Sequence, residues 1–560
     1  MLTDDPIEKQ SEKHSSAKVA EANWQSLRRI FTVPEKPGST LRCIEDQISK
    51  NLVGFLQDHI VAKEKGLPEL EKAFQAFEVP DCPIFVSEQA GFLLEQVVAN
   101  SVHTASPRFV GHMTSALPYF MVSLSKIMMA LNQNLVKIET SKVFTPLERQ
   151  VLAMMHHLVF QQDAAFYQQY MHHSDACLGM FCSGGTVANH TALWVARNQA
   201  FPAEGDFSGV AQSGLYRALK HFKYEGVAIL VSERGHYSLS KAADLLGIGR
   251  DDFYAVPVDE CHKIDLDALR AEVARLQASN IKILAIVGVA GSSETGSVDP
   301  LEELAVVAKQ CGAHFHVDAA WGGAALFSEQ GRQLLKGIEL ADSVTIDAHK
   351  QMYVPMGAGM VFMKDPHAAN VIRHHAQYIV RKGSRDLGRY SMEGSRPGMA
   401  MLVQSGLKVM GRAGYAMLID EGIQKAKDFA QMIQRHPDFE LITEPQLNLL
   451  TYRYVPHALQ SHLDYLKVES KASVRVSVNE TLNKVTRRIQ KIQRERGQSF
   501  VSRTHIKCQY SKEAITVFRV VLANPLTTLN MLSEILEEQT KIARDESIQA
   551  LLSDCNNKVL

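Results

Sequence analysis

Ser343-Val344-Thr345-Ile346-Asp347-Ala348-His349-Lys350 reads as a short buried strand that runs into a His-Lys pair. Lysine is an expensive residue to place where a strand enters a core, because its charge must be desolvated. Desolvation also lowers the pKa of an amine, which is what an amine needs to attack an aldehyde. Lys350 is therefore either a Schiff-base lysine or a surface residue that snorkels its ammonium into water. The choice rests on what the rest of the chain brings beside it.

Outward from this stretch, from residue 180 to 365, apolar runs alternate with helical patterns. Strands are expected at 227–231, 283–289, 314–317, 343–346 and 359–363, with helical stretches such as 301–310 between them. Continuous apolar strands separated by helices predict an α/β fold, with a mostly parallel sheet sandwiched by helices. Ligands in such sheets bind at the carboxyl ends of the strands. The polar residues at 232–236, 291–293, 318–320 and 347–350 fall at those ends.

Ser183-Gly184-Gly185-Thr186 precedes a helical run, 187–198. Two glycines let backbone approach a ligand, and a helix N-terminus offers free N–H groups. The segment is a phosphate cup or an ordinary glycine turn with a Thr cap. His236 follows a strand and is either a satisfied core histidine or a ring that lies flat on an aromatic cofactor. Asp318 ends the strand 314–317. A carboxylate there is costly unless paired, and a protonated pyridine nitrogen is such a partner, with small Ala320 leaving room for a ring. Phosphate cup, His, Asp and Lys in this order fit pyridoxal 5′-phosphate, whose ring accepts electrons when a bond at the substrate α-carbon breaks.

The bulk numbers set outer bounds. At 560 residues the chain is too long for one core. Hydrophobic residues at 46% and charged residues at 22% fit a globular protein, and a net charge of −1 gives no electrostatic case for nucleic acid or an anionic membrane. Eight cysteines, at 43, 82, 177, 182, 261, 311, 508 and 555, form no C-x-x-C, which points to a reducing cytoplasm rather than to disulfides or a metal site. The polar residues 1–16 make no signal peptide, and no apolar run is long enough to span a bilayer.

On the N-terminal flank, Ile44, Ile48, Leu52, Phe55, Leu56 and Ile60 recur at helical spacing, as an arm that packs on its own subunit or embraces a neighbour. Residues 107–114 form a loop before a helical pattern that runs to Leu131. Asn132-Gln133-Asn134 then caps that helix or lines a pocket. Pro146 lies near the first turn of another helix. Beyond 408 the pattern is α+β, with strands expected around Tyr452, at 474–478 and at 516–522. Leu482, Val485, Ile489 and Ile492 mark the inner face of an amphipathic helix whose basic side is solvated. The expected division is an N-terminal tail and helical segment, 1–110, a large cofactor domain, 111–408, and a small α+β domain, 409–560.

With these residues in place, the chain resembles the group II pyridoxal-phosphate amino-acid decarboxylases from roughly residue 100 to 530. The resemblance is carried by Ser183-Gly-Gly-Thr, Glu233-Arg-Gly-His236-Tyr-Ser, His316-Val-Asp318-Ala-Ala-Trp, Asp347-Ala-His-Lys350 and Glu393-Gly-Ser-Arg396-Pro. In detail it is most similar to the bacterial pyridoxal-dependent aspartate 1-decarboxylases, which make β-alanine for pantothenate, with glutamate decarboxylases next. The resemblance implies a fold-type I, aspartate aminotransferase-like homodimer. It further implies Lys350 as the Schiff-base lysine, His236 as the ring-stacking histidine and Asp318 as the pyridine-nitrogen partner. Gly184, Gly185, Thr186 and His349 would hold the phosphate, and Ser293 would lie near the ring substituents. Asp299, which closes the Ser293 motif, would be structural. Tyr378 matches the mobile-loop tyrosine that protonates the α-carbon. Arg519, with His112 and Asn134, would bind an acidic substrate. His112 stands where glutamate decarboxylases carry Gln, and Asp347-Ala348 stands where the family often has Asn-Pro, which puts an acid near the phosphate. The rivals are decarboxylation of glutamate, aminotransfer or another lyase reaction on the same fold, and a non-catalytic relative.

Overall fold

The computed structural model describes residues 46–52, 61–62, 65–375, 383–465, 472–508 and 513–559. Strands form where apolar residues run without a polar break. They are β1 (Gly179–Cys182), β2 (Gly226–Ser232), β3 (Phe253–Val256), β4 (Ile281–Val289), β5 (His314–Asp318), β6 (Ser343–Asp347) and β7 (Gly359–Met363). They assemble in the order β1-β7-β6-β5-β4-β2-β3. The pairs β2–β3, β2–β4, β4–β5 and β5–β6 are parallel. Only β7 runs against the rest, antiparallel to both β6 and β1. From Ile283 to Val289 every β4 side chain is buried, because helices cover both faces of the sheet. The expected mostly parallel α/β sheet is therefore present, with β1 and β3 added. Each of these is four residues long, too short to display a period.

A second sheet is antiparallel throughout: β8 (Phe439–Thr443), β9 (Leu449–Tyr454), β10 (Ser502–Lys507) and β11 (Ala514–Val521), in the order β10-β11-β9-β8. The strands expected at Tyr452 and 516–522 fall in β9 and β11. The strand expected at 474–478 does not form, because those residues open the helix Ala472–Arg496. Val474, Val476 and Val478 alternate like a strand, yet the buried positions Arg475, Val478, Asn479 and Leu482 step by three and four. Five residues of period 2 lose to the longer helical period that Leu482, Val485 and Ile489 continue into the core.

Both sheets lie in one compact unit, residues 107–495 with 499–560. A second unit, up to 106 with 496–498, carries the short helices Leu67–Glu71 and Val86–Phe92. Of the expected arm, residues 46–52 are helical, whereas Ile44, Phe55, Leu56 and Ile60 lie outside the described residues. The helix Tyr119–Leu131 ends at Asn132 in the left-handed region, φ 44°, so the polar knot caps it. Trp321 ties the two sheets together. Its Nε1 donates to Asn448 Oδ1 at 3.1 Å, Asn448 Nδ2 donates to Gln351 Oε1 at 2.9 Å, and Gln351 Nε2 donates to the Trp321 carbonyl at 2.8 Å.

Candidate active site

Because β7 alone is reversed, strands β1, β2, β4, β5 and β6 all end on one edge of the large sheet. That edge opens into a cleft of about 820 Å³, open to solvent. Gly184, Gly185, Thr186, His236, Ser293, Asp318, Ala320, His349 and Lys350 all line it. The topology thus brings nine separately chosen positions, spread over more than 160 residues of sequence, to a single cavity.

At one end of the cleft the helix Gly185–Ala200 begins, with first-turn N–H groups that have no intrahelical partner. A Cβ on Gly185 would lie 2.8 Å from Asp347 Oδ2 and 3.2 Å from Ala320 Cβ, so only glycine fits. The acid anticipated near the phosphate cup is thus there. Asp347 Oδ2 is 3.1 Å from Lys350 Nζ and 3.6 Å from His349 Nε2. Asp347 Oδ1 and His349 Nδ1 are buried without protein partners, which marks this end as built to take another polar group.

At the other end stands Asp318, 6% exposed. Its Oδ1 accepts from the Ala320 N–H at 3.1 Å and its Oδ2 from Asn189 Nδ2 at 2.8 Å. Asn189 also donates to Ser238 Oγ at 3.0 Å, so its oxygen faces His316 Nε2 at 3.1 Å. His316 therefore carries its proton on Nε2, and its Nδ1 accepts from Ser343 Oγ at 2.9 Å. Burial lowers the His316 pKa to about 4, so the ring is neutral. The tautomer of His236 follows in the same way. Its Nδ1 accepts from the Ser238 N–H at 3.3 Å, and a backbone N–H can only donate, so the ring proton sits on Nε2. Burial lowers the His236 pKa, against the opposing charge of Asp318.

Arg519, on β11, donates through Nε to the Ser293 carbonyl at 2.5 Å and through Nη1 to the Gly111 carbonyl at 3.2 Å. Burial lowers its pKa to about 10, against the nearby Glu294, and it remains a cation at neutral pH. His112, next to Gly111, is held below the ordinary imidazole range by burial and then by Arg519 and Lys350. Asn134 is engaged elsewhere, donating to Ser395 Oγ at 2.9 Å and accepting from the Val136 N–H at 3.1 Å. Tyr378 lies outside the described residues.

Sequence reasoning missed three residues in and around the site, Asn189, Arg234 and Arg396, and their signals differ. Asn189 has none beyond its place in a helix. Arg234 lies inside a quoted motif and lines the cleft. Arg396, also in a motif, donates to both carboxylate oxygens of buried Glu148, at 2.6 Å to Oε2. Its loop neighbour Glu393 accepts from the Ser183 N–H at 3.2 Å, so this loop braces the glycine turn from outside. Asp299 clamps the loop after β4 by accepting from the Val289 and Ile264 N–H groups, each at 2.8 Å.

A family model described as "Pyridoxal-dependent decarboxylase conserved domain" matches residues 92–455. The chain is 59% identical over 532 residues to an aspartate 1-decarboxylase of Aliivibrio fischeri (strain ATCC 700601 / ES114), covering 95% of this chain and 96% of that one. It is 28% identical to an aromatic-L-amino-acid decarboxylase of Bacillus atrophaeus, over 67% of this chain and 70% of that one. Among solved structures, mouse CSAD aligns with a TM-score of 0.78 at 23% identity, over 90% of this chain and 99% of that one, a likeness of fold.

Proposed function

We propose, from the premise that this chain belongs to the pyridoxal-dependent decarboxylase family, that it removes the α-carboxylate of L-aspartate to give β-alanine and carbon dioxide. Its cofactor is pyridoxal 5′-phosphate, and the cleft fits that group. The helix start at Gly185, the unpartnered His349 nitrogen, the buried Asp318 carboxylate and the Lys350 amine all line the cleft, with Lys350 Nζ 3.1 Å from Asp347 Oδ2. When bound, the cofactor supplies an aldehyde for the substrate amine and a ring that draws in the electrons left when carbon dioxide departs.

The chain's own residues do the rest. Gly184, Gly185, Thr186 and His349 hold the phosphate. Asp318, which accepts from the Ala320 N–H and from Asn189 Nδ2, would face the ring nitrogen and hold a proton there. His236 presents its Nε2–H to the cleft, and Ser293 lies at its wall. Lys350 would hold the aldehyde end of the cofactor. Tyr378, matched through His375-Ala-Gln-Tyr378-Ile-Val, delivers the proton to Cα. Arg519, with His112 beside it, binds the side-chain carboxylate. A guanidinium suits a planar carboxylate.

The observation that carries this reading is the cation at Arg519 beside a cleft that holds Lys350 and Asp318 together, in a chain 59% identical to an aspartate 1-decarboxylase. We further propose that the protein acts in the cytoplasm and supplies β-alanine for pantothenate synthesis. The six described cysteines are free thiols, in keeping with a reducing compartment. No described helix is long and apolar enough to cross a membrane. Incubation of the cofactor-loaded enzyme with aspartate and with glutamate tests the reading. β-Alanine as the main product supports it. γ-Aminobutyrate alone would make the enzyme a glutamate decarboxylase, and keto acid without carbon dioxide would make it an aminotransferase.

A further inference from the structure

Among the described residues, the three cations around the cleft are not partnered alike. Lys350 pairs with Asp347. Arg234, 9% exposed and lining the cleft, donates through Nη1 to Glu294 Oε2 at 2.6 Å. Its Nε is buried with no partner. Arg519 makes no ion pair among the described residues, and its printed partners are the carbonyls of Ser293 and Gly111 and the Ser502 hydroxyl. A buried guanidinium with an open N–H costs stability unless something completes it.

Glu294 differs from its neighbours in exposure. Its side chain is 39% exposed, while its partner Arg234 is 8% exposed. A half-exposed carboxylate can turn into water at little cost, whereas Arg234 cannot leave. Glu294 follows Ser293, whose carbonyl Arg519 holds, and its charge also acts on Arg519. One carboxylate of the chain thus lies within electrostatic reach of two buried cations. It is the same chemical group as the side chain of the proposed substrate.

We propose that Glu294 is a built-in competitor for the anionic substrate: in the empty site it holds Arg234, and it yields Arg234 to the substrate's side-chain carboxylate, which Arg234 and Arg519 then bind together. This rests on the reading of an acidic substrate. Arg234 is a substrate-binding residue in this account, and Glu294 is a gating residue that sets KM. The gate selects for ligands able to replace a carboxylate, and it leaves the bond-breaking step alone.

Steady-state kinetics of the cofactor-loaded enzyme with aspartate tests the proposal, together with calorimetry using succinate, a dicarboxylate with no amine to react. Glu294→Gln lowers KM at least threefold with kcat within twofold, and succinate binds correspondingly tighter. Arg234→Gln raises KM at least tenfold, while Arg234→Lys recovers part of the loss. In the double variant the benefit of Glu294→Gln disappears, because the cation it released is gone. Thermal melting and visible absorbance of the bound cofactor show that each variant is folded and loaded. An unchanged or higher KM in Glu294→Gln, or additive effects in the double variant, overturns the proposal. If the wild type makes no β-alanine, the substrate reading fails, and the succinate titrations still decide whether Glu294 competes for a carboxylate site.

Discussion

Neutral groups behind Asp318 point their hydrogens toward it. Ser343 hydroxyl to His316, His316 to Asn189 and Asn189 to Asp318 form one directional chain. Asn189 is its hinge, 1% exposed. Replacing Asn189 with Ala leaves Asp318 Oδ2 and His316 Nε2 without their partners, at a cost of about 1–3 kcal/mol. The expected outcome is a lower melting temperature in the cofactor-free protein and a cofactor dissociation constant raised several-fold, read by absorbance titration. A lower melting temperature with unchanged cofactor affinity would mean that Asn189 serves the core and not Asp318. Lys350, Asp318 and His236 were legible in the sequence because each is a polar residue where an apolar strand stops. Asn189 was not, since an amide inside a helix has the same local appearance whether it faces water or a carboxylate. Asp347 was legible as an anomaly, but its pairing with Lys350 follows from the turn that folds the lysine back on the strand end.

Among the elements, the reversed strand β7 does the most to shape the cleft. Its first residue, Gly359, pairs with Asp347 on β6 and with Cys182 on β1, between the Lys350 segment and the glycine turn. A Cβ at Gly359 would stand 2.6 Å from the backbone of Gly184 and 2.9 Å from Asp347 Oδ1. Gly359→Ala must push the glycine turn outward, and overpacking of this kind costs about 1–3 kcal/mol. The expected result is cofactor affinity reduced about tenfold, with the far-ultraviolet circular dichroism of the wild type retained. Undiminished affinity would show that the turn relaxes without losing its grip on the phosphate. The sequence reveals that 359–363 is a strand but not that it runs backwards, because direction depends on a short connection from Lys350 that leaves no room for a crossover helix. The error at 474–478 has the opposite origin. There a local alternation was clear, and the register of the following two turns of helix overrode it.

For the molecule as a whole, the helix Tyr119–Leu131 poses a question that a single chain does not answer. Its sequence is mostly apolar, Tyr-Phe-Met-Val-Ser-Leu-Ser-Lys-Ile-Met-Met-Ala-Leu. Met121 is fully buried, and Phe120, Leu124 and Met128 pack on the core. The outer side leaves Tyr119 at 89% and Met129 at 71% exposed, with Val122, Ile127 and Leu131 near half. An exposed apolar patch on the outer side of a packed helix marks an interface. We propose that a second copy of the chain supplies that cover, making the enzyme a homodimer. Ile127→Lys combined with Met129→Glu places two charges on the outer face and leaves the residues packed on the core untouched. Sedimentation of the wild type at micromolar concentration is expected to give twice the chain mass, and the double variant about one. The variant should keep its secondary structure and lose thermal stability, since burial of each large apolar side chain contributes about 1.5–3 kcal/mol. A variant that still sediments as a dimer would assign the apolar face to another partner and move the subunit contact elsewhere on the surface.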